Sequence, residues 1–193
     1  RKENAGRFQE FSGKTASYYA DMLQLEKLSA EQRAEWEREE MYHLLAADES
    51  HGIDLFISLC NNASDSFRLS TLHLLLGLAD EQAASLSAGN RLWIKFFEGK
   101  IDLLSGSWEE ALKVWETFER EREYLPIELE KTVAVHLSLL YKDKGEWGKA
   151  VECFQHSLEF LERAGDERGL AVTCNNLGFL YKDKEQWEEA DGC

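Results

Sequence analysis

The sequence contains one short segment whose residue types could hold a phosphate group. Ser12-Gly13-Lys14-Thr15 ends like a phosphate-binding loop, in which backbone amides and a lysine surround the phosphate oxygens. Such a loop also needs a glycine five residues before Gly13, where this chain has Phe8, and a hydrophobic strand upstream. The upstream residues are the polar run RKENAGR instead. We therefore predict a polar segment beside an amphipathic helix, without a nucleotide site.

Histidines, cysteines and carboxylates are the other residues that could do chemistry. The five histidines show no spacing typical of a zinc site, and the four cysteines form no C-x-x-C pair. Asp48, Glu49 and His51 stand together, but such a cluster at a helix junction is typical of a helix cap. No G-x-S-x-G nucleophile motif is present. The sequence predicts no catalytic residue, no metal site and no cofactor, and hence a protein that is not an enzyme.

Charge and composition restrict the class of partner. The 193 residues carry 22 Lys and Arg against 37 Asp and Glu, and the net charge of −15 argues against binding to nucleic acid. No apolar run has the length of a signal peptide or a membrane helix, so we expect no membrane contact. The scattered cysteines are typical of a reducing compartment, which favours a cytoplasmic location. A single proline favours one helix after another.

A repeated phrase defines the elements that must position any site. GSWEEA at 106–111 recurs as GEWGKA at 145–150 and as EQWEEA at 185–190, so the steps are 39 and 40 residues. A small residue precedes each final alanine by twelve positions: Gly99, Ser138 and Gly178. Apolar residues at steps of three and four on both sides predict antiparallel helix pairs, with backbones that approach closely at the small residues. Each pair must stack on the next to cover its apolar face.

The predicted fold class is therefore all-α, a right-handed α-α superhelix, or solenoid, of antiparallel helix pairs. We predict repeats over about 90–125, 126–165 and 166–193, the last of them incomplete, after an irregular helical region over 1–89. Pro126 is expected in the first turn of the helix that opens the second repeat.

Within the irregular region, Ser29 and Gln32 form a capping box that predicts the start of a helix. A break at His51-Gly52 would separate two helices of a degenerate pair over 34–62. A further pair is expected as one helix over 67–79 and a short one over 80–87.

The second and third copies resemble the tetratricopeptide repeat (TPR) family, in its longer-repeat form. The run NNLGFLY at 175–181, followed nine residues later by Ala190, is similar to the family consensus, and Leu137, Tyr141, Ala150 and Phe154 match it one repeat earlier. The first copy departs from the pattern at Glu98 and Asp102. More weakly, the order of helical phrases resembles the helical region that follows the nucleotide-binding module of bacterial STAND signal-transduction ATPases.

The TPR resemblance implies that the first helix of each pair lines a concave groove for a protein or peptide partner. The residues that it places there are Phe96, Phe97, Lys100, His136, Leu139, Lys142, Asn175, Asn176, Phe179 and Lys182. The second resemblance implies the sensor or scaffold part of a larger bacterial signalling protein. Two alternatives stay open at this point: a structural spacer or self-association module, and part of an ATPase whose catalytic module lies outside the chain.

Self-association through the C-terminal repeat, or fraying of that end, is expected. The third copy stops soon after its second helix starts, which would leave the apolar side of Leu177, Leu180 and Tyr181 partly uncovered. Such a face tends to find a substitute neighbour.

Overall fold

A computed structural model describes residues 2–25, 27–120 and 125–183, with side chains for 6–25, 27–118 and 125–183. All regular secondary structure within these ranges is helical. The α-helices are, in order, α1 (Lys2–Leu23), α2 (Ala30–Ala47), α3 (Glu49–Asp65), α4 (Leu69–Gln82), α5 (Ala88–Leu104), α6 (Trp108–Glu116), α7 (Ile127–Asp143), α8 (Trp147–Ala164) and α9 (Glu167–Asp183). Short 3-10 segments follow α4 at Ala83–Ser85 and α6 at Thr117–Arg120. The predicted all-α class is confirmed.

The chain divides into two compact units, Arg1–Gly106 and Ser107–Cys193. The boundary lies inside the first predicted repeat, between the glycine and the serine of its phrase GSWEEA. The predicted division into 1–89 and 90–193 stays a prediction.

In the first unit, α1 packs against α2, α2 against α3, α3 against α4 and α4 against α5. The core consists of apolar side chains that recur at steps of three and four on their helices and are almost fully buried: Met41, Leu45, Ile53, Phe56, Leu72, Leu75 and Phe97. Phe56 and Phe97 meet edge to face with ring centroids 5.6 Å apart, a favourable geometry for aromatic rings. The hydrophobic periodicity of the sequence thus corresponds to the buried face of each helix.

The capping box predicted at the start of α2 is confirmed. The Ser29 hydroxyl accepts a hydrogen bond from the Gln32 backbone amide at 3.1 Å, and the Gln32 side chain accepts one from the Ser29 amide at 3.2 Å. These two bonds satisfy donors that a helix N-terminus otherwise leaves free.

The predicted pair over 34–62 is present as α2 and α3, but the break between them lies at Asp48 rather than at His51-Gly52. The Asp48 carboxylate accepts a hydrogen bond from the His51 backbone amide at 3.3 Å and so caps α3. This contact confirms the cap interpretation of the acidic cluster. Gly52 lies one turn into α3, where a Cβ atom would come within 2.5 Å of the Leu45 backbone nitrogen. Only glycine allows the two helices to approach this closely.

The second predicted pair in the first unit is wrong in its second member. α4 continues to Gln82, and only the 3-10 segment Ala83–Ser85 follows it before α5. Phe67, in the turn between α3 and α4, has a φ of 52°. That left-handed conformation is one that glycine usually supplies after a helix, and the exposed Phe67 side chain gains little packing in return.

In the second unit, α7 and α8 form the antiparallel pair that the second copy of the phrase predicts. The Ser138 hydroxyl donates a hydrogen bond to the Ala150 carbonyl at 3.1 Å. The two helices therefore approach closely at Ser138 and Ala150, as the spacing of these residues predicts. Gly145, in the turn between them, has a φ of 77°. Pro126 is the N-cap of α7, one residue before the predicted first turn. Trp115, Phe118, Leu129, Phe154 and Leu161 fill the core.

The third copy is only partly within the described residues. α9 packs on α8 and α7, whereas Trp187 and Ala190, at the predicted start of its second helix, lie outside the described ranges. Leu177 and Leu180 are buried in the second unit, so the expectation that these two side chains are left uncovered is wrong.

None of the helices in the described ranges combines the length and apolar character needed to cross a bilayer.

Candidate functional site

The residues predicted to contact a partner are divided between the two units. Phe96 and Phe97 are core residues of the first unit and are fully buried on α5. Their rings pack against each other at 5.1 Å, and Phe97 also packs against Phe56. The prediction that Phe96 and Phe97 line a groove is therefore wrong, because neither side chain offers surface to a partner.

Lys100 lies on the same helix and is half-buried. Burial lowers the pKa of its ammonium group, while the nearby Asp65 carboxylate acts in the opposite direction. Lys100 therefore belongs to the packed surface of the first unit.

Four predicted residues come together on the surface of the second unit, in a groove between α7 and α9. Leu139 and Lys142 of α7 face Asn176 and Phe179 of α9 across a cavity of about 200 Å³. Phe154 of α8, which is buried, lies among the lining residues. We call this cavity and the one that adjoins it the α7/α9 groove.

The adjoining cavity is larger, about 580 Å³, and it shares Val135 with the first. Thr132 and His136 of α7 line it, together with Gly169 and Val172 of α9. The groove therefore follows the length of the two helices that open the second and third repeats.

Three large apolar side chains of the α7/α9 groove are exposed. Leu139 is 49% exposed and Phe179 is 57% exposed, and Val172 is exposed to a similar extent. Leu139 and Phe179 stand 40 residues apart, which is one repeat step. Val172 precedes Phe179 by seven residues, or about two helical turns, so both lie on the same face of α9. We call these three exposed side chains, two in the smaller cavity and one in the larger, the apolar strip of the groove.

Salt bridges join α7 to Asp166, directly before α9, and to Asp183, the last residue of α9. The Lys131 ammonium lies 2.8 Å from an Asp166 oxygen, and the Lys142 ammonium lies 2.9 Å from an Asp183 oxygen. Hydrogen bonds from Lys131 and from the Gly169 backbone amide hold the pKa of Asp166 below its usual value. Lys142 likewise lowers the pKa of Asp183. Both carboxylates are therefore ionised around neutral pH and fix the two helices together.

Polar groups within the groove differ in their freedom to bind a partner. The His136 ring lies 2.8 Å from the Thr132 carbonyl through Nδ1 and packs edge to face against Trp115, with centroids 4.9 Å apart. His136 is thus held in place by its own helix and by the core. The Asn176 side-chain amide, by contrast, makes no hydrogen bond to any described residue. It keeps a donor and an acceptor for another chain.

The last two predicted residues lie beside the groove rather than in it. Asn175 and Lys182 are exposed on α9 but line neither cavity. Sequence reasoning in turn did not include Val172, Lys131, Asp166 and Asp183. For Val172 a signal existed, because its seven-residue spacing from Phe179 places both on one helical face.

Catalytic alternatives gain no support from the described residues. Gly13 and Lys14 lie inside α1, so their backbone amides are engaged in a helix instead of surrounding a phosphate. Among the described residues no group of three or more His, Cys, Asp or Glu side chains is arranged to hold a metal ion.

The structure is thus an all-α repeat of antiparallel helix pairs. A groove lies between α7 and α9, the helices that open the second and third repeats. A single-substitution variant of a kinesin light chain-like protein from Podosopora anserina, with nearly identical TPR-like repeats, aligns to this chain with a TM-score of 0.50 and 17% identity. The alignment covers 98% of this chain and 87% of that chain. The crystal structure of the unsubstituted protein gives a TM-score of 0.49 at 17% identity, with coverage of 98% and 88%.

The alignment with the variant shows a TPR-like fold and confirms the predicted fold class. No protein-family model matches the sequence, and a comparison with curated proteins finds no significant match.

Proposed function

We propose that this chain is a non-catalytic recognition module that binds an extended peptide segment of a protein partner in the α7/α9 groove. The observation that carries the proposal is the apolar strip of Leu139, Val172 and Phe179, which is open to solvent and bordered by salt bridges that hold α7 and α9 at a fixed separation.

The energetics favour a binding role for this strip. Full burial of a leucine or phenylalanine side chain contributes roughly 1.5–3 kcal/mol. Because Leu139 and Phe179 are each about half exposed, covering each of them would contribute about 1 kcal/mol. Exposed apolar strips of this kind, bordered by polar groups, are typical of binding surfaces.

An extended peptide suits the polar groups as well. Its backbone carries an amide donor and a carbonyl acceptor at every residue. The Asn176 amide, next to Phe179, can satisfy one of each. The groove therefore pairs apolar contacts for side chains with a hydrogen-bonding group for the main chain.

The test is a binding measurement with matched variants. A random-peptide display library is selected against the 193-residue chain, and the affinities of enriched peptides are measured by fluorescence anisotropy. Leu139→Ser and Phe179→Ser should each weaken binding about fivefold or more, since about 1 kcal/mol corresponds to roughly that factor.

The matched control is Leu74→Ser on α4, because Leu74 is 48% exposed against 49% for Leu139 but lies in the first unit. It should leave binding unchanged. Equal binding by all three variants would contradict the groove assignment.

The wider role that we propose is the sensor or scaffold part of a larger bacterial signalling protein in the cytoplasm. This context is supported by the resemblance of the helical phrases to the STAND class. A phosphate-loop motif encoded upstream of this chain in its gene would support the proposal, and an unrelated upstream sequence would contradict it. A spacer or self-association module remains the alternative, and light scattering that finds a dimer would favour it.

A further inference from the structure

The first helix of the chain leaves one apolar face open to solvent. Phe8, Phe11 and Tyr18 of α1 are 46%, 64% and 57% exposed. Thr15 and Met22 lie between and after them and are partly exposed. These five residues recur at alternating steps of three and four, which is the spacing of the seam between two packed helices. We call them the α1 seam.

α2 covers a different face of α1. Ser12 and Ala16 are 0% and 2% exposed, and the Ser12 hydroxyl lies 3.4 Å from Nδ1 of His43 on α2. Ser12 and Ala16 each follow a residue of the α1 seam by one position, which is about 100° around the helix. The α1 seam therefore stays open although α1 packs against α2.

The area of the α1 seam suits a second protein surface. A buried aromatic side chain covers about 150–250 Å², so the exposed fractions of Phe8, Phe11 and Tyr18 leave roughly 300 Å² of aromatic surface per chain. Two such faces together would bury about 600 Å². Leu25, just beyond α1 and 49% exposed, extends the contact. The total approaches the roughly 1,000 Å² of a weak but specific interface.

Two opposite charges stand beside the α1 seam on the same flank. Lys14 and Asp21 are both exposed, and each directly precedes a residue of the seam. Asp21 makes no ion pair with any of the described residues. The Lys14 ammonium lies 2.6 Å from a Glu10 oxygen on its own helix.

The contact with Glu10 leaves Lys14 able to meet a second carboxylate. Lys131 shows this arrangement within the chain, because its ammonium lies 2.7 Å from a Glu128 oxygen and 2.8 Å from an Asp166 oxygen. Lys14 and Asp21 can therefore both take part in contacts between helices.

An antiparallel second copy of α1 satisfies these two charges at once. A twofold axis midway between Lys14 and Asp21 sets each lysine opposite the aspartate of the other copy, so the ion pair forms twice. Phe11 then lies beside Met22 of the second copy. The antiparallel arrangement also aligns the two helix dipoles favourably.

From the open seam, its area and its self-complementary charges we infer that α1 binds α1 of a second copy of this chain in antiparallel orientation, which gives a weak dimer through the first unit. This inference goes beyond the proposed peptide recognition, because the α1 seam shares no residue with the α7/α9 groove. The dimer therefore accompanies peptide recognition and uses a different surface from the predicted self-association through the C-terminal repeat.

Sedimentation equilibrium of the full chain, from micromolar to millimolar concentration, tests the inference. The wild-type chain should dimerise, and Phe11→Ser should weaken dimerisation at least about tenfold, since the substitution acts twice in each dimer. The matched control is Phe67→Ser, an exposed aromatic residue of the same unit outside α1, which should leave dimerisation unchanged. A wild-type monomer over the whole range, or equal dimerisation of Phe11→Ser and wild type, would overturn the inference.

Exchanging the charges tests the antiparallel orientation. Lys14→Glu and Asp21→Lys should each weaken the homodimer about fivefold, because each replaces two attractive pairs by two repulsive ones. An equimolar mixture of the two variants should dimerise about as tightly as wild type, since both pairs in the mixed dimer again join opposite charges. A mixture no tighter than the separate variants would overturn the antiparallel pairing.

Peptide binding provides a separate readout of the proposed function. Phe11→Ser should bind groove peptides as wild type does, and Leu139→Ser should dimerise as wild type does. Loss of peptide binding alone would count against the groove and leave the α1 dimer standing. A dimer that persists in Phe11→Ser would overturn the α1 inference and favour the self-association alternative.

Discussion

Replacing Gly52 by alanine sets two opposing effects against each other. Alanine is a better helix former than glycine by about 1 kcal/mol, so helix propensity alone predicts a stabilised α3. However, the added Cβ would lie 2.5 Å from the Leu45 nitrogen and 2.7 Å from the Leu44 carbonyl carbon. These are backbone atoms, so no side chain can rotate away and α2 and α3 must separate by roughly 1 Å.

That separation would loosen the contacts of the buried Met41 and Phe56 between the helices. Overpacking of this kind costs about 1–3 kcal/mol, and here we expect the upper end because backbone meets backbone. After subtraction of the propensity gain, Gly52→Ala should lower the free energy of unfolding by about 2 kcal/mol. Urea denaturation followed by circular dichroism should give a midpoint about 1 M lower for the first unit.

The matched control is Gly77→Ala, also inside a helix, where an added Cβ would meet nothing within 4 Å. Propensity then acts alone, and the variant should gain up to about 1 kcal/mol. The two substitutions should thus shift the midpoint in opposite directions. If Gly52→Ala were as stable as Gly77→Ala, the close packing of α2 on α3 would be refuted.

Three further outcomes are expected in thermal or urea denaturation. Phe67→Gly should raise the free energy of unfolding by up to about 1 kcal/mol, since glycine removes the strain at a φ of 52°; a lower melting temperature would contradict this. Asp166→Ala should lower the melting temperature through loss of the cap on α9 and of the bond to Lys131. Asp166→Asn keeps the cap acceptor and should cost less, so equal losses would contradict the cap. Burial lowers the pKa of His43 below 6.5, and Glu39 opposes this shift only in part. The unfolded chain then binds the proton more readily, so wild type should lose stability as the pH falls below about 6.5. His43→Gln should lose less over the same range, and identical pH profiles would contradict the assignment.

The helix pairs of the second unit could be predicted because their signals are local. A small residue and an alanine twelve positions later predict a close helix approach, and the bond from Ser138 to the Ala150 carbonyl lies at that point. The capping box at Ser29 is equally local. Periodicity and caps act within one or two helical turns, and the repeat step can be counted along the chain, so the sequence displays all three directly.

The errors concern properties that depend on more distant packing. Phe96 and Phe97 occupy positions that face the groove in a regular repeat, yet the first unit buries them against Phe56. Whether an apolar face is covered depends on neighbouring helices that the local pattern does not show. The salt bridges from Lys131 and Lys142 to α9 join residues 35 and 41 positions apart and were missed for the same reason.

The central claim is that the α7/α9 groove is the binding surface, and chemical-shift mapping tests it most directly. A peptide enriched by display is added to the isotope-labelled chain, and the backbone amide shifts are followed. The largest changes should fall on the residues of α7 and α9 that line the groove, including Val135, Leu139, Asn176 and Phe179. Chemical-shift changes confined to α1–α5, or to α8, would contradict the claim.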